Sequence, residues 1–499
     1  MKYTNEDINL ENGIQKEWII TNGIGGFASS TIIGANTRKY HGLLIAPLTP
    51  PARRYLILSK VDESIEIGGK QYNLYTNIGK NYITKGYEYQ TSFEKEEIPT
   101  LKYKISDVEI TKQICMKYGE NTVGILYKIK NGKQPTKLTL APLMNFRDFH
   151  SMSTNHEFKI RQENKGTKLK VIIDNMIQNP IYIKVSEGIY IPHNNDIFRN
   201  MFYIEEQKRG FYPEENHAVV GRYEIEIKPN EEKEISFVCS LEENIDELDV
   251  KKLIIKEKQR ISKILEKTEI DFSEKQDKTE DEEKRQELIK NLVISADTFI
   301  AYRSSFRLHT IIAGYPWFLD WGRDSLISFE GLLLKNKRYD IAKEVLKTMM
   351  RDIKYGLVPN GYSGFDNRPL YNSVDASLLL FEQIQKYLEY TKDQEFIKEI
   401  FEKLEIIIEN YKKGIDIDNN NIYLDTDHLI VSGTENTQNT WMDAKVDGVA
   451  VTPRNGKAVE INSMWYNSLK IMENICKELR RKQKSKKICR TSKTNKKFF

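Results

Sequence analysis

The spacing of apolar residues changes once along this chain, and that change constrains the fold more than any other feature. Up to about residue 240 the apolar positions alternate or form short β-branched runs, as in YLILSKVDESIEI (55–67), LKYKISDVEITKQICMKY (101–118), TKLTLAPL (136–143), IYIKVSEGIYI (181–191) and EISFVCSL (234–241). A period of two sends successive side chains to opposite faces of a strand. Turn pairs such as Asn131-Gly132 separate the runs, and no helix-length pattern interrupts them. Packed antiparallel sheets are therefore expected, and a parallel α/β sheet is not.

From Glu282 onward the period is helical. Apolar residues recur at i, i+3, i+4 and i+7 in segments 282–303, 324–336, 339–354, 374–390, 393–413 and 459–479. Asp324 and Asp375 stand near helix starts, and Asp393 has the character of an N-cap. Between the two regimes lies a charged amphipathic helix followed by SEKQDKTEDEEKRQ, a connector almost without apolar residues. The expected organisation is a β domain over 1–243, a helical and charged linker over 244–281, a helical domain over 282–479 and a basic tail over 480–499.

Bulk properties exclude several classes. Apolar content of 39% with 10% aromatics is ample for packed cores. The first ten residues, MKYTNEDINL, do not read as a signal peptide, and no segment approaches membrane-span length. The four cysteines, Cys115, Cys239, Cys476 and Cys489, are scattered without metal-ligand or disulfide-framework spacing, so a reducing cytoplasm is the simplest compartment. Net charge is +4, but the stretch from Arg480 carries ten Lys/Arg and no acid, which leaves −6 on the rest. No aromatic interleaving accompanies that tail, and nucleic-acid or membrane partners are not expected. Oligomeric state is not readable.

Chemistry concentrates in three long connections between helices. They are Tyr315-Pro316-Trp317-Phe318-Leu319-Asp320-Trp321-Gly322-Arg323-Asp324, then Tyr362 through Asp375, then Thr440-Trp441-Met442-Asp443-Ala444 running on to Arg454 and Glu460. Four of the five tryptophans lie in or just after these loops. Indole faces beside carboxylates suit a sugar, one stacking on the ring and the other binding its hydroxyls. Glycoside hydrolysis needs a protonated carboxylic acid and a second carboxylate in contrasting environments. If Arg323 lies against Asp324, it keeps that carboxylate ionised, as befits a hydroxyl clamp. Asp443 follows Trp441 and Met442, and an apolar setting there would raise its pKa, as befits a general acid. Acid–base hydrolysis implies no metal and no organic cofactor. In the N-terminal part, NGIGGFA lacks the spacing of a dinucleotide fingerprint and reads as a tight turn, while Arg38 and His41 of TRKYHGLL fit either a structural role or one that shapes the pocket.

Several motifs carry a resemblance. PWFLDWGRDS, YNSVDAS and TWMDAKV with VTPRNGKAVEINSMWYNSL resemble the glucosidase domain of glycogen-debranching enzymes, and WIITNGIGGFASSTIIGANTRKYHGLLIA resembles the N-terminal domain of their short bacterial and archaeal members. The resemblance runs to about Leu479. It implies a multidomain β-plus-α chain, with an N-terminal antiparallel β-sandwich followed by an (α/α)6 barrel. It implies inverting hydrolysis of α-1,6 branch glucose in glycogen or a related α-glucan, with Asp443 as the general acid. Arg323 and Asp324 would hold the terminal glucose, Trp321 and Trp441 would line the pocket, and Asp375 and Glu460 match further acidic positions. Two other readings stand beside it, a glucoamylase-like α-1,4 exo-glucosidase and a non-catalytic α-glucan-binding remnant.

The chain departs from the family in one respect. About six helices are legible where the family barrel has twelve, and no segment matches the family's water-activating carboxylate. The expectation is an incomplete barrel with little activity alone and a broad apolar face exposed along the helices between Leu326 and Leu479.

Overall fold

A computed structural model describes residues 1–154, 157–173, 179–268, 270, 279–364 and 366–481. Two compact units divide the chain, Met1–Glu266 with Phe272–Ile294, and Lys267–Asp271 with Ser295–Phe499.

In the first unit the alternating segments form two antiparallel sheets. In chain order the strands are β1 (Lys2–Thr4), β2 (Glu17–Thr21), β3 (Phe27–Thr31), β4 (Gly42–Thr49), β5 (Ala52–Ile67), β6 (Lys70–Asn73), β7 (Gln90–Lys95), β8 (Pro99–Ile105), β9 (Val108–Met116), β10 (Thr122–Lys130), β11 (Thr136–Asp148), β12 (Ile160–Lys165), β13 (Lys168–Ile173), β14 (Ile181–Val185), β15 (Ile189–Phe202), β16 (Glu214–Ile227) and β17 (Glu232–Ser240). One sheet runs β1-β7-β8-β9-β10-β17-β14-β13-β12. The other runs β15-β16-β11-β5-β4-β3-β2, with β6 beside β5. Residues of both sheets, such as Ile57 and Leu58 on β5 and Tyr103 and Ile110 on β8 and β9, bury into one core. The alternation in β8 works as read, with Leu101, Tyr103 and Ile105 inward and Lys102 and Lys104 outward.

NGIGGFA is the connection from β2 to β3. Asn22 Oδ1 accepts the Ile24 and Gly26 N–H groups at 3.2 and 2.8 Å. Gly23 takes φ +71°, and a Cβ there would meet the Tyr118 ring at 2.4 Å. Arg38 Nε donates to Glu17 at 2.8 Å, and His41 lies 3.6 Å from the same carboxylate. Burial raises the Glu17 pKa, but His41 and Arg38 outweigh it and hold the carboxyl down at about 2. The amphipathic helix α1 (Val250–Lys267) packs Val250, Leu253 and Ile254 against Cys115, Leu126 and Val238 of the nine-stranded sheet. Helix α2 (Glu280–Thr298) follows.

The second unit is helical, with α3 (Gly322–Phe329) running into a π-helical turn over Glu330–Leu334, then α4 (Tyr339–Arg351), α5 (Ala376–Thr391), α6 (Gln394–Lys413) and α7 (Val459–Glu478). Helix α5 is the centre, buried nearly all round from Ala376 to Leu388 and contacted by α3, α4, α6 and α7. Asp393 caps α6, its carboxylate accepting the Phe396 N–H at 3.0 Å. None of these helices is long and apolar enough to cross a membrane.

Two expectations are corrected here. The helix read over 282–303 stops at Thr298, and Ile300–Arg303 pairs as a strand with Leu308–Ile311. Arg303 is the reason, because its side chain must reach the buried Asp320. Among the described residues the broad apolar face also does not appear. The apolar residues of α3 to α7 close on one core, and the exposed large apolar residues on these helices are Ile327, Ile406 and Val459. Loop residues Tyr371, Ile415, Ile422 and Ile430 join that core beside the helices. The tail expectation falls on residues 482–499, outside the described set.

The pair that corrects the first expectation also supports the site. Arg303 Nε donates to Asp320 Oδ2 at 2.9 Å, and Thr310 Oγ1 donates to the same oxygen at 3.0 Å. Both charged side chains are fully buried. Asp320→Ala would leave the guanidinium buried and unpaired, a change that typically costs about 3–5 kcal/mol. Chemical denaturation of the variant should show a loss of that order. A loss below about 1 kcal/mol would contradict this role for the pair.

Candidate active site

The loops before α3, α5 and α7 meet at the Arg323 side chain. Helix α3 begins with its first N–H groups satisfied from another loop. Gly322 N donates to the Asn360 carbonyl at 2.7 Å, and Arg323 N to Asn360 Oδ1 at 3.4 Å. The approach needs glycine, since a Cβ at Gly322 would lie 2.5 Å from the Pro359 carbonyl oxygen. This docking fixes the direction in which Arg323 leaves the helix.

The start of α5 frees a carboxylate for that arginine. Asp375 holds the N-cap position but makes no capping bond with its side chain. Ser373 does the capping instead, its Oγ accepting the Ala376 N–H at 3.1 Å and donating to Asp375 Oδ1. The Asp375 carboxylate is thereby turned to Arg323, at a helix end whose dipole favours negative charge. The third loop is stitched beside it. Val374 N donates to the Asn439 carbonyl at 2.8 Å, and Asn439 Nδ2 to Asn420 at 3.1 Å.

Arg323 joins all three. Its Nε donates to Asp375 Oδ2 at 2.6 Å, its Nη1 to Asp443 Oδ2 at 3.0 Å and its Nη2 to the Thr440 carbonyl at 2.8 Å. Arg323 and Asp375 are buried, while the Asp443 side chain is 39% exposed. Burial disfavours the guanidinium charge, and the two carboxylates overcome that and raise its pKa further.

The electrostatics differ from the sequence expectation in two ways. Arg323 does not pair with its neighbour Asp324, because successive helical residues point about 100° apart. Asp324 stands at the solvent-facing side. Its surroundings still desolvate it, and that effect, with the Asp443 and Asp375 charges, raises its pKa against its own backbone N–H and Arg323. Nor does Asp443 sit in an apolar enclosure. It is ion-paired, and Trp441 beside it is 56% exposed.

Trp321 occupies the position before α3, half-buried, with its backbone bridged to Gly361. Glu460, in the first turn of α7, pairs with Arg454 rather than with Arg323. The structure therefore brings Arg323, Asp375 and Asp443 into contact, with Asp324 alongside, while Glu460 belongs to a second pair on the same loop. Sequence reading missed Asn360 and the capping role of Ser373. Nothing in one sequence marks an amide that caps a helix from another loop. A serine two residues before an N-terminal aspartate is a readable signal. Among the described residues no group of three or more His, Cys, Asp or Glu could hold a metal ion.

The Asp324 shift has a stability consequence. A raised folded-state pKa means that the native state holds the proton more tightly than the unfolded chain. Its contribution is present below the ordinary aspartate pKa and is lost as pH rises through the raised value. Asp324→Asn should therefore raise the thermal midpoint at neutral pH and leave it unchanged at strongly acid pH. The gain should stay under about 1 kcal/mol, because water screens the group. A lower midpoint at neutral pH would contradict this electrostatic picture.

Comparison with known proteins supplies the relatives. The family model described as "Glycogen debranching enzyme N terminal" matches residues 16–234, and the one described as "Amylo-alpha-1,6-glucosidase" matches residues 294–498, through the stretch set apart at 480. A glycogen debranching enzyme of Saccharomyces cerevisiae is 26% identical over 204 residues, covering 30% of this chain and 13% of that protein. A bacterial glucoamylase solved with acarbose superposes with a TM-score of 0.53 at 12% identity, over 99% of this chain and 65% of that one, a likeness of fold. A putative kojibiose phosphorylase from human microbiome aligns with a TM-score of 0.43 at 10% identity, over 97% of this chain and 63% of that one. This chain thus spans about two thirds or less of the length of each. With two family models matched in succession, one on each unit, the chain belongs to the glycogen debranching enzyme family.

Proposed function

We propose that this chain hydrolyses α-1,6-glucosidic branch linkages of glycogen or a related α-glucan, with inversion, using α3 to α7 as helices of an (α/α)6 barrel behind a β-sandwich. The observation that carries the reading is the single guanidinium holding Asp375 and Asp443 together beside an acid whose pKa is raised. Arg323, Asp324 and Asp375 clamp the hydroxyls of a terminal glucose, and Trp321 and Trp441 offer it apolar faces. Asp443 donates the proton to the leaving glycosidic oxygen. Arg323 Nη1 lies 3.0 Å from its carboxylate. The reading assigns no water-activating base.

A second reading makes Asp324 the proton donor, and its raised pKa favours it. An activated leaving group separates the two. Asp443→Asn should lose about 10²–10⁴-fold on branched limit dextrin, the usual contribution of general acid catalysis. It should keep most of its rate on α-glucosyl fluoride, whose leaving group needs no proton, and its affinity for glycan should barely change. Asp324→Asn should weaken binding as well as rate on both substrates. The opposite pattern would transfer the acid role to Asp324.

The linkage is tested by product analysis. Free glucose from limit dextrin, released first as the β-anomer, is the expected result. Glucose from linear maltotriose alone would replace the debranching reading with an α-1,4 exo-glucosidase. Affinity for glycogen without turnover would replace it with a non-catalytic binding role.

A further inference from the structure

Glu460 was expected among the sugar contacts, yet it is engaged elsewhere. Its Oε1 accepts a hydrogen bond from Arg454 Nη2, both side chains being about 30% exposed. The same guanidinium lies over the Trp441 indole, 5.5 Å from the ring centroid. Arg323 holds the loop on either side of Trp441, at the Thr440 carbonyl and at the Asp443 carboxylate, but the indole itself is exposed. The hairpin after it, Lys445–Val446 with Val449–Ala450, leaves Val446, Val449 and Val451 exposed.

The segment carrying Arg454 and Glu460 is fixed at several points. Ser432 and Gly456 exchange backbone hydrogen bonds at 3.0 and 2.8 Å. Lys457 bridges Asp425 and Asp427 at 2.7 and 2.5 Å. Asn462 bonds the Ile430 backbone at 2.6 and 3.0 Å. A planar guanidinium clamped by a carboxylate is thus presented from an anchored segment to an exposed indole.

We infer that Arg454 and Glu460 are positioning residues that hold Trp441 as a stacking platform for the sugar on the leaving side of the scissile bond. The inference rests on the functional reading above. Trp441 is two residues from Asp443, a step that spans at most about 7 Å. A ring stacked on the indole therefore neighbours the bond whose oxygen Asp443 protonates, while the terminal glucose lies with Arg323. Arg454 covers part of the indole, and 56% of Trp441 stays open to a ligand. Guanidinium–indole contact needs the flat cation, and lysine reproduces only its charge. The pair sets how firmly the platform grips the sugar next to the cleaved bond, and so which linkage presents well.

The test separates the two sugars. Calorimetric titration measures binding of glucose, and of an oligosaccharide whose terminal glucose is α-1,6-linked to maltose. Tryptophan emission follows the same titrations. Arg454→Ala and Glu460→Ala should each weaken the oligosaccharide about threefold to tenfold, with Arg454→Lys in between. The double variant should be no weaker than the worse single one, since both act on one ring. Glucose affinity should stay within twofold of wild type, and the oligosaccharide-induced emission change should vanish in Trp441→Phe. Thermal midpoints identify any variant that has simply lost its fold, and Arg454→Lys keeps the test open if the alanine variants do so. Unchanged oligosaccharide binding in a folded Arg454→Lys and Glu460→Ala, or equal losses for glucose and oligosaccharide, would overturn the inference and leave the functional reading standing. A wild-type chain that binds neither sugar would overturn both.

Discussion

The helical unit is organised around one guanidinium. Arg323 is buried, and a buried charge is tolerated only when it is paired and hydrogen-bonded. Its donors reach Asp375, Asp443 and the Thr440 carbonyl, so the ends of α3 and α5 and the loop before α7 cannot move apart without exposing an unsatisfied cation. The requirement that brings the acids together is therefore structural before it is chemical. Removing the arginine would cost the arrangement of the loops and, in the proposed reading, the contacts offered to a sugar.

Beneath that junction the structure is stiff. Asp320, immediately before Trp321, is locked to Arg303 and Thr310, and Gly322 is docked on the backbone at Asn360. Helix α5 starts from Asp375 and is buried on nearly every side, so the carboxylate stands at the end of a helix packed by its neighbours. The loop with Trp441 and Asp443 is different. It is pinned at Asn439, by Arg323 at the Thr440 carbonyl and Asp443, and again from Arg454 onward, while Trp441 and the hairpin valines Val446, Val449 and Val451 are exposed.

Much of the fold was legible because period carries it. The strands read from alternation form the two sheets, and the helices after Asp324 lie where the 3.6 spacing placed them. Ile300–Arg303 was misread because four residues of a strand cannot be told from the last turn of a helix by spacing alone. The burial of Arg303 against Asp320, seventeen residues away, decided the matter. The exposed apolar face was overestimated because it assumed an ideal ring rather than helices packed around α5. At the site, composition singled out three loops, and the structure brings Arg323, Asp375 and Asp443 from them into contact. Pairings were not legible. Adjacency in sequence suggested Arg323 with Asp324, whereas helical geometry turns the guanidinium away, and Glu460 takes Arg454 as its partner. Partners across loops depend on three-dimensional closure that one sequence does not encode locally.

The central claim is that Arg323 gathers these carboxylates into one site for a terminal glucose. A structure of the chain with a short α-glucan bound tests it most directly. The account predicts sugar hydroxyls within hydrogen-bonding distance of Arg323 and Asp324, and the glycosidic oxygen facing Asp443. A glucan bound elsewhere on the chain, with the Arg323 cluster untouched by sugar, would contradict it.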